Sequence, residues 1–266
     1  MLLHKYIKSK YWYRTLSRCE IKVSKPSELN DPFDCIGGVV GTLGRNGLKR
    51  FHSVENFRKN MMDRSVSDDV FRVLCLTDAD ADDPESEVLF WSHYADGGRG
   101  VRITFDVSDT KDFVKSDCLC APVRYAQFYP QLDTDAYEKS PHEEYKNFLV
   151  ETIWTKGLSW AYEREVRMIF QRKGLVFRRS VSGVNVRKFE IVKFSPKCVK
   201  EVVFGVNFDM SGINDKVRRL ICSLYEDSNI FKRTFIDASR YRYQYKQLFD
   251  GKRIRVKLPK QFREWR

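Results

Sequence analysis

Between Trp160 and Phe170 apolar and polar residues alternate. Trp160, Tyr162, Val166, Met168 and Phe170 fall on one side, with Arg164 the one charge among them, and Glu163, Glu165 and Arg167 fall on the other. Period two predicts a half-buried strand, because successive side chains point to opposite faces of a sheet. Two carboxylates on one face, with Cβ atoms roughly 7 Å apart, repel each other and need a partner or a task. Arg167, two residues on, can be that partner. The stretch reads either as a surface ladder of charges or as a carboxylate held in a cleft, where it binds a ribose hydroxyl or acts on a substrate.

The same reading places other elements. Leu2–Ile7 and Cys19–Ser24 are expected strands, the second with Ile21 and Val23 on one face and Lys22 on the other. Pro26 and Asn30-Asp31-Pro32 stop it, and Asp31 is expected to be extended because a proline follows. Residues 35–50 hold five of the fourteen glycines and read as a mobile loop. Arg72–Thr77 is an apolar strand. A helix then starts at Asp83-Pro84, with Glu85 and Glu87 at the positive end of its dipole, carries Val88, Trp91 and Ala95 at helical spacing, and stops at Gly97-Gly98. Val101, Ile103 and Phe105 alternate with Arg102, Thr104 and Asp106 as a strand. Glu143–Trp154 and Ile213–Tyr225 read as helices. Lys200–Val206, Phe231–Ile236 and Ile254–Leu258 read as strands. This mixture predicts an α+β fold in one catalytic domain over residues 1–266. There is no Gly-x-Gly-x-x-Gly after a strand and no phosphate-binding Gly-x-x-x-x-Gly-Lys-[Ser/Thr] motif.

Composition adds a partner. The net charge of +12 is uneven: residues 1–170 carry 24 Lys+Arg against 27 Asp+Glu, and residues 171–266 carry 24 against 9, a balance of −3 beside +15. A basic third on a nearly neutral body points to a polyanion, and first to nucleic acid. Its pattern agrees. Arg240-Tyr241-Arg242-Tyr243-Gln244-Tyr245-Lys246 interleaves basic and aromatic residues, and Arg253, Arg255 and Lys257 repeat the device opposite Ile254, Val256 and Leu258. Basic groups bind phosphates and aromatic faces stack on unpaired bases, so residues 227–266 are the expected nucleic-acid face, for RNA ahead of DNA. The alternative is a sheet with a buried tyrosine face and a solvated charged one. No apolar run is long enough to span a membrane, and no secretory leader is read at the N-terminus. Seven cysteines with no Cys-x-x-Cys pair, and only four histidines, argue against structural zinc and fit reduced thiols in a cytoplasm.

Three segments are expected to converge on one site: Asn30-Asp31-Pro32-Phe33-Asp34, Trp91-Ser92-His93-Tyr94-Ala95-Asp96, and the carboxylate strand. Asn and Asp in a turn often do no more than bond their own backbone. His93 and Tyr94 sit beside a flexible connection, where a ring can stack on a planar ligand.

These segments resemble the ordered signature of a bacterial domain-of-unknown-function family. Asn30–Asp34 is followed by Leu89–Ala95 with Gly100-Val101, then by Lys156 and Trp160-x-Tyr162-Glu163-x-Glu165-x-Arg167, and Lys200–Gly205 resembles a late motif of the same family. The resemblance covers residues 2 to 210. A first strand with polar residues, a downstream aromatic and a Glu-x-Glu strand also resemble the ADP-ribosyltransferase fold, in which a cleft between two small sheets, a split sandwich with flanking helices, holds NAD. That resemblance implies that NAD is the co-substrate, that His4 or Lys5 takes the ribose or phosphate, and that Tyr94 or Tyr6 stacks on nicotinamide. It further implies that Glu165, with Glu163 beside it, bonds the nicotinamide ribose, with Asn30, Asp31, His93 and Arg167 around the cofactor. No Ser-Thr-Ser element accompanies these residues. Such enzymes act as bacterial toxins or in anti-phage defence, which implies an antitoxin or other neutralising protein as a further partner. Two other functions compete. Asp31, Asp34, Asp106, Glu163 and Glu165 could supply oxygen ligands to magnesium in a nuclease, although the Glu-x-Lys ending of one large nuclease class is absent. A non-enzymatic nucleic-acid binder would need only the basic C-terminal strands.

Overall fold

The computed structural model describes residues 1–40, 55–56, 59, 65–78, 84–114, 117–182, 185–211, 213–225 and 227–248. Asp83, most of the glycine-rich stretch, the expected strand Ile254–Leu258 and the basic residues Arg253, Arg255 and Lys257 lie outside the described residues. The fold is mixed α+β with several sheets. The chain divides into two compact units, one formed by Met1–Ile21, Thr77–Lys115 and Val192–Arg266 and the other by Lys22–Leu76 and Ser116–Ile191.

In the first unit the strand order is Tyr243–Gln247, Phe231–Ile236, Val199–Phe204, Val101–Asp106, Leu2–Ile7, ending on Thr77 and Asp78. Val199–Phe204 and Phe231–Ile236 are parallel and the other neighbours antiparallel. Register sorts the side chains. His4 lies opposite Thr104 and Tyr6 opposite Arg102, while Glu201 and Val203 face the same two residues from the other side. Directly opposed residues share a face, so His4, Tyr6, Arg102, Thr104 and Glu201 form one polar face of the sheet. The helix Pro84–His93 packs Phe90 and Trp91 onto this face, with the Tyr6 ring stacked on Phe90 at 5.2 Å.

The apolar face carries Ile103, Phe105, Val202 and Phe204 at 0% exposure. Trp12 meets Phe204 edge-on at 5.1 Å, and Phe113 and Phe194 pack on Phe105 at 4.9 and 5.1 Å. Burying each such side chain stabilises the fold by about 1.5–3 kcal/mol. The helix Ile213–Ser223 buries Ile213, Val217 and Leu220, the i, i+4, i+7 stripe of an amphipathic helix. Gly97 and Gly98 take φ of +63° and +77° in the turn after the Pro84–His93 helix, as expected of a terminator, and Gly98 N donates to the carbonyl of Trp91 at 3.0 Å. Gly205 packs against this turn so closely that a Cβ would lie 2.1 Å from the Gly98 carbonyl oxygen. The glycine that ends Lys200–Gly205 is therefore a packing requirement.

In the second unit Glu165–Gln171 lies between Phe71–Asp78 and Cys118–Pro122, pairing antiparallel with the latter from Val166–Pro122 to Phe170–Cys118. Two short parallel pairs join Gly38–Val40 to Gln131–Asp133 and Arg124–Ala126 to Thr155–Gly157. Val176–Ser182 and Asn185–Lys193 form an antiparallel ribbon. Pro141–Trp154 is the long helix, with Glu143 and Glu144 in its first turn.

Here the period-two reading needs correction. Leu158–Glu163 is a 3-10 helix, Arg164 turns the chain at φ +42°, and the strand starts only at Glu165. Glu163 is not on the strand. Every residue from Glu165 to Phe170 is buried, so the strand is covered on both faces and is not half-exposed. A single left-handed residue, Arg164, interrupts the alternation that runs through the sequence.

Candidate functional site

The Asn30–Asp34 turn, the short Thr155–Gly157 strand after the long helix, the 3-10 helix and the Glu165 strand bring five ionisable groups together inside the second unit. Arg167, at 0% exposure, is the centre. Its Nε donates to Glu165 Oε1 at 2.7 Å and its Nη2 to Asp34 Oδ1 and Oδ2 at 2.7 and 2.8 Å. Its Nη1 donates to the carbonyl of Ile153 and, at 3.7 Å, to Cys35 Sγ. Ile153 is in the last turn of the Pro141–Trp154 helix, where carbonyls lack helical partners and the dipole favours a cation. Lys156, three residues on, places its Nζ 2.6 Å from Glu163 Oε2 and 2.9 Å from Glu165 Oε2, with Asp34 Oδ2 at 3.9 Å.

Side-chain exposures in this group run from 0 to 5%. Three carboxylates against two cations leave one formal negative charge. Burial alone would push Glu165 up, but the charges of Arg167 and Lys156 outweigh it and hold the carboxyl at about 2. Burial pushes Asp34 up from the ordinary range, against the attraction of Arg167. Lys156 and Arg167 are held charged, because the carboxylates around them more than offset their desolvation. Aromatic residues border the cluster. The Tyr125 hydroxyl accepts from the Glu165 amide at 2.7 Å, the Trp160 ring lies 4.9 Å from Lys156 Nζ, and Tyr162 is 6.0 Å from Trp160. All three are half-buried, and Phe33 and Leu158, on the same segments as Asp34 and Lys156, are exposed.

Of the residues the sequence singles out, Glu163, Glu165 and Arg167 are in this cluster. Asp31 is buried beside it in sequence but acts locally: its Oδ1 accepts from the Phe33 amide at 2.9 Å and its carbonyl from the Asp34 amide at 3.1 Å. That is the self-bonded turn reading. Asn30 is exposed on the same turn. Asp34, named in the sequence within the Asn30–Asp34 segment and as a metal ligand, proves to be a principal partner of Arg167. Lys156, Tyr125, Cys35 and Cys75 carry no sequence assignment, although Asp34 and Lys156 both lie within the quoted motifs. For the magnesium set, Asp106 belongs to the other unit, and Lys156 or Arg167 already meets Asp34, Glu163 and Glu165. Among the described residues no group of three or more His, Cys, Asp or Glu is disposed to hold a metal ion.

His4, Lys5, Tyr6, His93 and Tyr94 belong to the first unit. His4 Nδ1 is 2.9 Å from Thr104 Oγ1, and burial together with the Arg102 charge lowers its pKa to about 3, so the ring is neutral near pH 7. Tyr6 is core, stacked on Phe90 and edge-on to Trp91. Tyr94 packs on the same cluster, and His93 is exposed, with its ring 6.1 Å from Tyr94. Beside them is an ion group that the sequence does not announce. Arg102 donates to Glu87 Oε1 at 2.5 Å and to Glu201 Oε2 at 2.6 Å, its guanidinium lies 4.7 Å from the Tyr245 ring centre, and Lys232 pairs with Glu201.

The basic-aromatic segment is a strand only from Tyr243; Arg240, Tyr241 and Arg242 belong to the turn before it. Asp237 closes that turn by accepting from Arg242 Nε at 2.8 Å, the Ser239 hydroxyl at 2.8 Å and Gln244 Nε2 at 3.1 Å, which hold its carboxyl well below the usual range. Tyr243 and Tyr245 pack against the Trp91 cluster while Tyr241 is fully exposed, so the three tyrosines do not form one stacking face. Arg240 and Lys246 are exposed, with Lys246 Nζ 5.0 Å from the Phe235 ring centre.

Residues 90–168 match a family described as "Protein of unknown function (DUF2971)". The matched span carries Phe90–Ala95, Lys156 and Trp160–Arg167, and supports kinship with a domain-of-unknown-function family. Asn30–Asp34 and Lys200–Gly205 lie outside it. No curated protein and no solved structure matches the chain. No helix among the described residues is long and apolar enough to cross a membrane.

Proposed function

We propose that this protein is an NAD-dependent ADP-ribosyltransferase that modifies nucleic acid, RNA ahead of DNA, with Glu165 as its central carboxylate and a role in bacterial toxin or anti-phage systems. The observation that carries the reading is the place of Lys156 Nζ, between Glu163 and Glu165 in surroundings that exclude water. A point flanked by two carboxylates in a dry site is where positive charge is best stabilised. Cleavage of the nicotinamide–ribose bond creates such a charge, an oxocarbenium-like centre. In this reading the ammonium marks its position and yields Glu165 Oε2 to the ribose as substrate enters. Tyr125, Trp160 and Tyr162 offer ring faces beside it for nicotinamide. A carboxyl held near 2 acts as a fixed charge and not as a base. The exposed Arg240, Arg242 and Lys246 would contribute to holding the acceptor.

The test is incubation of the whole chain with NAD labelled in the adenylate and a mixture of RNA, DNA and protein. Label is expected in nucleic acid with the wild type, and a drop of roughly 10²–10³ in Glu165→Gln, with folding followed in parallel by circular dichroism. Label in no fraction, with the protein folded, overturns the reading. The full pairing of the cluster favours a second reading, in which it is an architectural ion network in a non-enzymatic nucleic-acid binder. Binding of RNA without turnover of NAD would select it.

A further inference from the structure

Two thiols flank the buried Arg167–Glu165 pair, and no chemistry has so far been assigned to them. Cys35 Sγ lies 3.7 Å from Arg167 Nη1 and 3.8 Å from Asp34 Oδ1. Cys75 hydrogen-bonds the Glu165 carboxylate and packs, half-buried, against the apolar cluster of Cys35, Val73, Ile153 and Ile169. None of the six described cysteines is in a disulfide. Cys35 holds φ at +57°, in the left-handed region that a side chain enters only at a cost. Its sulfur sits between the Arg167 guanidinium, which favours a thiolate, and the Asp34 carboxylate, to which the thiol donates.

We propose that Cys35 and Cys75 form a peroxide-sensitive pair whose oxidation to a disulfide straps the Asp34 turn to the Phe71–Asp78 strand across the Arg167 site. In the first step the thiolate of one cysteine attacks hydrogen peroxide, forming a sulfenic acid and releasing hydroxide, which takes up the proton that left the thiol. In the second the other sulfur attacks the sulfenic sulfur, forming the S–S bond and expelling water. Two thiols are oxidised by two electrons, one peroxide is reduced, and two waters result. The more accessible Cys75 is the first to be oxidised and the buried Cys35 resolves it. The strap removes the S–H donor to Glu165 and closes the loop from residue 35 to residue 75. This inference does not rest on the transferase reading.

The experiment treats the reduced full-length chain with hydrogen peroxide, blocks remaining thiols, and maps peptides without reduction. The expected product is one cross-linked peptide pair containing Cys35 and Cys75, lighter by two hydrogens and lost in Cys75→Ser. The oxidised wild type is expected to melt higher by roughly 10 °C, from the length of the closed loop. A Cys118→Ser control should keep the link. A disulfide that joins any other two of the seven cysteines, or oxidation of Cys75 to sulfinic acid without a link, overturns the proposal. Because the map is read on the wild type, failure of a variant to fold leaves the answer intact.

Discussion

The two units each build an ion network around one arginine, and the networks differ in how far water reaches. In the second unit Asp34, Lys156, Glu163, Glu165 and Arg167 keep side-chain exposures of 0 to 5%. In the first, Arg102 keeps 9%, Glu87 17%, Glu201 19% and Lys232 31%. In both, one guanidinium holds two carboxylates, Arg167 through Nε and Nη2 and Arg102 through Nη1 and Nη2. Only the first group can exchange a lost partner for water. The buried group therefore carries the larger penalty for any single deletion, because what remains is an uncompensated charge in a low dielectric. A strong electrostatic site and a vulnerable core are here the same object, and the expected costs follow from that.

The largest effect is expected for Arg167→Ala. It strips Asp34, Glu165 and the Ile153 carbonyl of a donor at once, and the loss should be about 3–5 kcal/mol by urea unfolding. Arg167→Lys should recover little, because one ammonium cannot reproduce the fork. An equal cost for Arg102→Ala would break the contrast between the networks.

Glu165→Gln comes next. Were Glu165 in an open cleft, the change would leave folding nearly untouched. Buried between Lys156 and Arg167, it should cost about 2–4 kcal/mol. The companion change Tyr125→Phe leaves both cations paired and should cost under about 1.5 kcal/mol. If both variants are folded and only Glu165→Gln loses label transfer, the charge matters beyond its structural part.

Acid separates the units by a different group. His4 has a folded pKa of about 3 against an ordinary 6.5. The unfolded chain therefore binds more protons between these values, and the stability that His4 contributes is complete above about pH 6.5 and is lost as the pH falls towards 3, up to roughly 5 kcal/mol in all. Glu165, at about 2 against 4.5, loses its contribution only below pH 4.5. A stability profile should thus fall first through the histidine window, and His4→Gln should flatten that part alone. A fall confined to below pH 4.5 would sink the assignment.

The smallest effects belong to the half-open network and the surface. Lys232→Met should cost no more than about 1 kcal/mol, and less at high salt. Arg240→Ala should leave stability unchanged and weaken RNA binding, with the salt slope reduced by roughly 0.7 if it contacts one phosphate of a single strand. Unchanged binding would remove that residue from the proposed acceptor face.

Elements were legible in the sequence where one chemical pattern ran unbroken. Leu2–Ile7 and Phe231–Ile236 form strands with the expected bounds, because their alternation or apolar run is local information. The helix expected over Ile213–Tyr225 from its stripe forms over Ile213–Ser223, and the chain turns at Gly97-Gly98 because glycine enters positive φ without cost. The candidate site was legible in part. Glu163, Glu165 and Arg167 stood out as charges among apolar residues, and Arg167 was legible as a partner of Glu165, but Asp34 and Lys156 were not. Asp34 reaches Arg167 across 133 positions and Lys156 reaches Glu165 across nine.

What the sequence determined by itself was local: which segments alternate, where the chain stops, and that paired carboxylates in an apolar stretch need a cation. The tertiary structure alone decided that Glu165 is buried on a strand covered on both faces, that Arg164 turns the chain so that Glu163 enters from a 3-10 helix, and that Tyr243 and Tyr245 pack into a core. The reason is physical. Periodicity says which side chains share a face, but burial depends on what the rest of the chain brings over that face, and the charge state of a carboxylate depends on cations that only folding places beside it.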